Sequence, residues 1–259
     1  MDARSDIVDL PGAALVTGAA KGTGRRIAER LAERGYSVVL HASPRSQANA
    51  EAAAADIAAC GGKACALGCD LRDLAALPEL IAGAAARFGP LTLLVNNAAI
   101  FEADDAQTFE LSRLDTHLSV NLKAPLILAR HFAAQVPAGL EASIVNLIDQ
   151  RVFRPTPQFF TYSLSKAALW AATQTMAQAF APLGIRVNAV GPGPVSPNDA
   201  QGEAGFAIET HGVPLARAVS PDDVAGAVLY LAAARNVTGQ MIAVDAGQHL
   251  AWKTPDVML

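Results

Sequence analysis

Cysteine is scarce in this chain: of 259 residues only Cys60, Cys65 and Cys69 carry a thiol, in one cluster. An odd number at that spacing makes neither a disulfide framework nor the paired C-x-x-C elements of a zinc site, so free thiols are the reading. Charge is sparse too, at 17% of residues with a formal net charge of -4 and no run of lysine or arginine. That balance excludes general nucleic-acid binding, which needs a basic surface to neutralise phosphates, but leaves room for a locally basic pocket. No apolar stretch reaches the roughly 18 residues of a spanning helix. Met1 to Leu10 lacks the basic and apolar regions of a secretory signal. A cytoplasmic protein without membrane or nucleic-acid partners is expected. His117, His131, His211 and His249 are scattered without metal-ligand spacing, so polar or packing roles are expected and no metal.

What is abundant is apolar residues, 52% of the chain, enough for one well-packed domain. Short apolar runs alternate with helical patterns. Strands are predicted at Ala13 to Val16, Tyr36 to His41, Lys63 to Gly68, Leu91 to Val95, Ser143 to Ile148, Ile185 to Val190 and Gln240 to Val244. Between them lie helical stretches near Arg25 to Arg34, Gln47 to Ala59, Leu74 to Phe88, Ser112 to Ala134, Phe160 to Ala181 and Pro221 to Ala234. Strands joined by crossover helices run parallel, so the pattern predicts an α/β fold. It is a single-domain, doubly wound Rossmann-type sheet of about seven parallel strands with helices on both faces. No linker divides the chain, whose core spans about 13–247. Residues 192–218, rich in Gly, Pro, Ser and Asn, are too long for an ordinary connection and read as a substrate-side lid or a tether.

The first strand meets the first helix at Thr17-Gly18-Ala19-Ala20-Lys21-Gly22-Thr23-Gly24. A G-x3-G-x-G turn lets backbone N–H groups and a helix N-terminus approach a pyrophosphate, although glycines there also serve plain tight packing. A site for NAD places an acid after the second strand, where it bonds the ribose 2′-hydroxyl and repels a 2′-phosphate. Here that place reads His41-Ala42-Ser43-Pro44-Arg45-Ser46, with no acid. Arg45, Ser43, Ser46 and the loop's Lys21 could instead receive a phosphate, which favours NADPH; as ordinary surface polar residues they would say nothing. Tyr162 and Lys166 stand four apart on one predicted helix, which sets an ammonium beside a phenol. A phenol ordinarily titrates near about 10, and a neighbouring cation eases its ionisation.

Taken together, these motifs resemble the short-chain dehydrogenase/reductase family from Ala13 to about Gly247. Asp70-Leu71, Asn96-Asn97-Ala98-Ala99, Asn121, Tyr162-x3-Lys166, Ile185-Arg186-Val187-Asn188, Pro192-Gly193 and Val237-Thr238-Gly239-Gln240 follow in the family's order. The resemblance implies cofactor contacts from Gly18, Lys21, Gly22, Thr23, Gly24, His41, Asp70, Leu71, Asn97, Ala98 and Ala99. It adds Tyr162, Lys166, Pro192, Gly193, Val195 and Ser196. It also implies that Lys166 holds the nicotinamide ribose and lowers the tyrosine pKa, that Asn121 organises a water relay, and that the protein is a homotetramer.

One departure sharpens the reading. Thirteen residues before the tyrosine, where the family usually has serine, stands Asp149. Pteridine reductases carry aspartate there, and Phe101 matches the aromatic residue their pterin packs against. Gly22, however, replaces an arginine characteristic of them. The expectation is therefore hydride transfer from NADPH to a C=N bond of a pterin, dihydropterin or dihydrofolate-like molecule, with Tyr162, Asp149, Lys166 and Asn121 catalytic. Phe101, Asp149 and Tyr162 would bind the substrate. Asp149 as a structural acid bound to Arg151 or Arg154 remains open. So do a carbonyl reductase acting on ketone, 3-oxoacyl or sugar substrates, and a dinucleotide-binding regulatory protein without turnover.

Overall fold

Ala13–Val16 is buried along its whole length and forms β1, the strand from which the sheet is built outward. The computed structural model describes residues 12–197 and 201–252. Glycine-rich residues turn the chain into α1 (Gly22–Glu33), and β2 (Ser37–Ala42) returns parallel to β1. The alternation continues through α2 (Gln47–Ala59), β3 (Lys63–Gly68), α3 (Leu77–Phe88), β4 (Leu91–Asn96), α4 (Leu111–Leu118) and α5 (Ala124–Gln135). It closes with β5 (Ala142–Leu147), α6 (Phe160–Phe180), β6 (Ile185–Pro192), α7 (Gly202–Gly212), α8 (Pro221–Ala233) and β7 (Met241–Val244). The seven strands pair in the order β3-β2-β1-β4-β5-β6-β7, all parallel.

Each strand feeds two cores because its side chains alternate across the sheet. Ala14 and Val16 face a cluster with Ile27 and Leu31 of α1, Ala53 of α2 and Val228 of α8. Leu15 faces the other, with Ile81 of α3, Leu128 and Phe132 of α5, and Ala177 of α6. Buried on both sides, the strands read as continuous apolar runs, which is why periodicity found them. The strand order reverses between β1 and β4, so their carboxyl ends splay apart and leave a crevice, the usual ligand position in open α/β sheets.

Two expectations need correction. The predicted helix at Ser112 to Ala134 is broken by a π-turn at Ser119–Lys123 between α4 and α5. Inserting that wider turn lets the Asn121 amide bond the Ile100 backbone outside the helix. The third helix starts at Leu77, not Leu74, because residues 72–76 are held in turns by Leu74 N–H to Arg72 and Ala76 N–H to Asp73. The stretch 192–218 carries α7, whose Glu209 lines the cavity described below, and residues 198–200 lie outside the described part. Among the described residues no helix is long and apolar enough to cross a membrane.

Candidate active site

The glycine loop packs directly on the loop after β4. Gly18 has φ +65°, and a Cβ there would come within 2.9 Å of the Ala98 Cα; one on Gly24 would strike the Gly18 carbonyl and the Asn97 amide. Asn97 locks this approach by donating from Nδ2 to the Thr17 and Gly18 carbonyls (2.9 and 3.2 Å), while Thr17 Oγ1 accepts from the Asn97 and Ala98 N–H groups, both at 3.0 Å. Lys21 precedes α1 in extended conformation and makes no side-chain cap, so the helix's first N–H groups remain available to an anion. Gly22, at φ +56°, has open space where a side chain would be.

At the end of β2, His41 is buried and takes a different part from the one the resemblance implied. Its Nδ1 accepts from the Gly18 N–H at 3.3 Å and its Nε2 lies 3.0 Å from the Cys69 carbonyl, which requires the neutral ring protonated on Nε2. Burial pushes its pKa down to about 4, opposed by the Cys69 hydrogen bond and Asp70. Both nitrogens being engaged, His41 supports the glycine loop instead of meeting a phosphate. Ser43, Arg45 and Ser46 do cluster at the surface beside it, the two hydroxyls 3.0 Å apart. Asp70 is clamped by Arg72 at 2.6 Å, a hydrogen-bonded pairing that holds its carboxyl down at about 2, and Leu71 is buried.

The carboxyl ends of β4, β5 and β6 enclose a cavity of about 270 Å³ lined by Thr23, Asn97, Ala99, Phe101, Asp149 and Arg151. Tyr162, Lys166, Pro192, Gly193, Val195 and Ser196 line it as well; of the residues named here all but Arg151 were site candidates from the sequence. Tyr162 Oη donates to Asp149 Oδ2 at 3.0 Å. Asp149 also accepts from Arg151, through its N–H at 2.8 Å and its guanidinium at 3.1 Å. One geometry thus fixes the carboxylate against Arg151 and leaves it in reach of the tyrosine, in the wall of the cavity. Among the described residues Arg151, and not Arg154, pairs with Asp149.

The resemblance gave Lys166 the task of lowering the tyrosine pKa, and here the balance runs the other way. Burial, followed by the charge of Asp149 and its hydrogen bond, pushes Tyr162 well above its ordinary value, with Arg151 opposing in part. Lys166 Nζ sits 5.8 Å from the Tyr162 ring centroid and donates to the Leu147 carbonyl at 2.7 Å. Its own pKa is pulled down to about 8 by burial, against the pull of Asp149. Asn121 lies behind this group. Its two amide protons go to the Ile100 carbonyl (2.9 Å) and Ser165 Oγ (3.1 Å), and its Oδ1 accepts from the Ile100 N–H at 2.8 Å. It fixes the base of the Phe101 loop.

Phe101 meets Tyr162 edge-on at 4.6 Å and is itself stacked on Phe159, centroids 4.2 Å apart and planes 8° from parallel. Sequence reasoning missed Phe159, Gln201, Glu209 and Gln248, the last three also lining the cavity. Phe159, three residues before the tyrosine on the same helix start, was findable by its spacing. The other three reach the site from distant segments, and no local signal marks them. His117 was read as a packing residue; it is fully buried, edge-on to Tyr162 at 6.1 Å and 2.7 Å from Thr161 Oγ1.

Comparison with known proteins extends these observations. The sequence model described as enoyl-(acyl carrier protein) reductase matches residues 18–249. The chain is 35% identical over 244 residues to an uncharacterized oxidoreductase of Methylorubrum extorquens, covering 90% of this chain and 96% of that one. It is also 35% identical over 246 residues to L-rhamnose 1-dehydrogenase (NAD(P)(+)) of Azotobacter vinelandii, with 90% and 94% coverage. Among solved structures it is similar to FolM alternative dihydrofolate reductase 1 from Brucella canis complexed with NADP. That likeness has a TM-score of 0.92 and 43% identity, over 98% of this chain and 100% of the other.

Proposed function

Since the chain belongs to the short-chain dehydrogenase/reductase family, we propose that it is an NADPH-dependent oxidoreductase reducing a C=N bond of a pterin, dihydropterin or dihydrofolate-like substrate. The observation that carries the reading is Asp149, bonded at once to Tyr162 and Arg151 in the wall of a cavity that also presents Phe101. The likeness to the Brucella alternative dihydrofolate reductase with NADP supports both substrate class and cofactor.

The residues fit a dinucleotide with a 2′-phosphate. The glycine loop offers backbone where a Cβ would clash, α1 begins without a side-chain cap, and the end of β2 presents Ser43, Arg45 and Ser46 with no acid among them. Pro192, Gly193, Val195 and Ser196 would flank the nicotinamide, and Lys166 and Tyr162 would hold its ribose. When bound, NADPH supplies the hydride that goes to carbon.

The chain's own residues supply the rest. Reduction of C=N adds hydride to carbon and one proton to nitrogen, so each turnover consumes NADPH and one proton. Tyr162 is the proton donor, and Asp149, hydrogen-bonded to it and almost wholly buried, returns a proton from water to the phenol. Arg151 keeps the carboxylate aimed at Tyr162. Lys166, still protonated at neutral pH with its pKa near 8, favours the phenolate left after proton transfer. Phe101, braced by Phe159, gives a flat heterocycle an aromatic wall.

The second reading is a carbonyl reductase, favoured by the Tyr162 and Lys166 pair, which serves a C=O bond equally well, and by the likeness to a sugar dehydrogenase. NADPH oxidation measured across a panel of dihydropterins, dihydrofolate, ketones and sugars separates the two. Turnover of a dihydropterin or dihydrofolate above every ketone supports the proposal. Ready ketone turnover with no pterin turnover replaces it, and NADPH binding without any turnover favours a regulatory protein.

A further inference from the structure

Two rings meet Tyr162 edge-on, Phe101 at 4.6 Å and His117 at 6.1 Å. Phe101 lines the catalytic cavity; His117 and its neighbour Thr161 are wholly buried outside that lining. The helix that carries the tyrosine starts without a cap of its own. Phe159, at the N-cap with φ 56° and ψ 47°, has no side-chain acceptor to offer the first N–H groups. A residue from a distant loop takes that part. Asp104, three residues past Phe101, accepts from the Thr161 N–H at Oδ1 (3.2 Å) and from the Thr161 hydroxyl at Oδ2, while its backbone carbonyl accepts from the Phe159 N–H at 2.9 Å. A carboxylate in that place also complements the positive end of the helix. An antiparallel bridge between Asp105 and Gln158 continues the same seam.

The hydroxyl of Thr161 sets a direction, because it has a single proton to give. With that proton given to Asp104, Oγ1 can only accept from His117 Nδ1, 2.7 Å away, so the imidazole carries its proton on Nδ1. Nε2 is then a bare lone pair, buried and without a donor among the described residues. A second proton there would find no acceptor. Burial pushes the imidazole pKa down, against the pull of Asp104 and Glu102 and with Arg113 acting in the same sense as burial. The ring is therefore neutral, and the chain runs one way, from His117 Nδ1–H to Thr161 to Asp104. A chain with one direction has one arrangement, and each bond in it polarises the next. It joins three segments on which the site depends: the loop of Phe101, the helix of Tyr162, and α4, where His117 stands four residues before Asn121.

Resting on the reading of Tyr162 as the proton donor, we infer that His117, Thr161 and Asp104 form a positioning triad that holds the phenol in line for proton transfer without touching substrate or cofactor. Its direction is tested in the wild-type protein by NMR with isotope-labelled histidine: at neutral pH the His117 ring should carry its proton on Nδ1, its signal being the one lost in His117→Asn. Its role is tested by kinetics on the panel compound that the wild type reduces fastest. Thr161→Val removes the hydroxyl at nearly constant volume and should lower kcat about 10- to 10²-fold, as a small misplacement of a reacting group does. KM and the NADPH dissociation constant should stay within about two-fold, since no binding contact is lost. Thr161→Ser keeps the hydroxyl and His117→Asn keeps an N–H toward it, so both should retain kcat within about three-fold. His117→Phe should match Thr161→Val, and the double variant should be no worse than either, because each breaks the same chain. A ring protonated on Nε2 instead, an unchanged kcat per nucleotide-binding site in Thr161→Val, or additive losses in the double variant overturns the triad and leaves the role of Tyr162 intact. A wild-type protein that turns over no compound of the panel overturns the proton-donor reading, and the role of the triad with it.

Discussion

Replacing Lys166 with methionine should stabilise the cofactor-free protein while abolishing its activity. Lys166 is 2% exposed, and its ammonium donates to the Leu147 carbonyl. Burial lowers its pKa from the ordinary 10.5 to about 8. That difference amounts to about 3 kcal/mol of preference for the neutral amine. The sign follows from the direction. Above the unfolded value the lysine is neutral in both states and costs nothing; as pH falls through the folded value the buried charge is imposed, so the full penalty is present at neutral pH. Methionine fills similar volume without charge, but it forfeits a hydrogen bond and leaves the Leu147 carbonyl unpaired, which returns about 1 to 2 kcal/mol. The net gain of about 1 to 2 kcal/mol corresponds to roughly 2–8 °C in Tm for a chain of this size. Differential scanning calorimetry of wild type and Lys166→Met without nucleotide, at pH 7 and pH 10, measures it. The advantage should be present at the lower pH and shrink or reverse at the higher one. A variant less stable than wild type at pH 7, or a difference that ignores pH, would refute the reasoning.

Other consequences follow from the same geometry. Tyr162→Phe deletes the proton donor and should lower kcat by about 10² to 10⁴ with the NADPH dissociation constant little changed, as read by nucleotide fluorescence; a near-normal rate would remove the tyrosine from the chemistry. Ser43→Asp sets an acid on the exposed turn after β2 and should shift the preference from NADPH toward NADH in paired kcat/KM measurements, whereas the same change at Ala42 would bury a carboxylate and cost stability instead. His41, neutral in the fold with its pKa near 4, contributes stability that is intact above about 6.5 and lost as pH falls toward 4, up to about 3 kcal/mol. Denaturant titrations of wild type across that window should therefore fall more steeply than those of His41→Asn.

Much of this fold was legible because its sheet is buried on both faces. The apolar runs at Ala13–Val16 and Leu91–Asn96 carry no alternation to confuse with a surface strand, and the glycines between strand and helix fix the register of crossover. The catalytic helix was legible for a local reason, since a spacing of four puts Tyr162 and Lys166 on one side. What stayed hidden was contact between distant segments. No pattern in Ser112 to Ala134 announces the π-turn, because the insertion is driven by Asn121 reaching the Ile100 backbone 21 residues earlier. The resemblance implied a cofactor contact for His41, yet its partners Gly18 and Cys69 lie on two other segments and only the packed sheet brings them to it. Glu209 and Gln248 were invisible for the same reason, their side chains meeting across 39 residues of chain.

The central claim, that hydride reaches the carbon of a C=N bond in a reduced pterin, is tested most directly by following the hydride itself. NADPH deuterated at its hydride-donating carbon is incubated with the enzyme and dihydrofolate, and the product is analysed by mass spectrometry and proton NMR. The expected result is one deuterium per product molecule, on the ring carbon of the reduced C=N bond, formed in step with NADPH consumption and lost in Tyr162→Phe. Product without label on that carbon, or NADPH consumed with no labelled product formed, would contradict it.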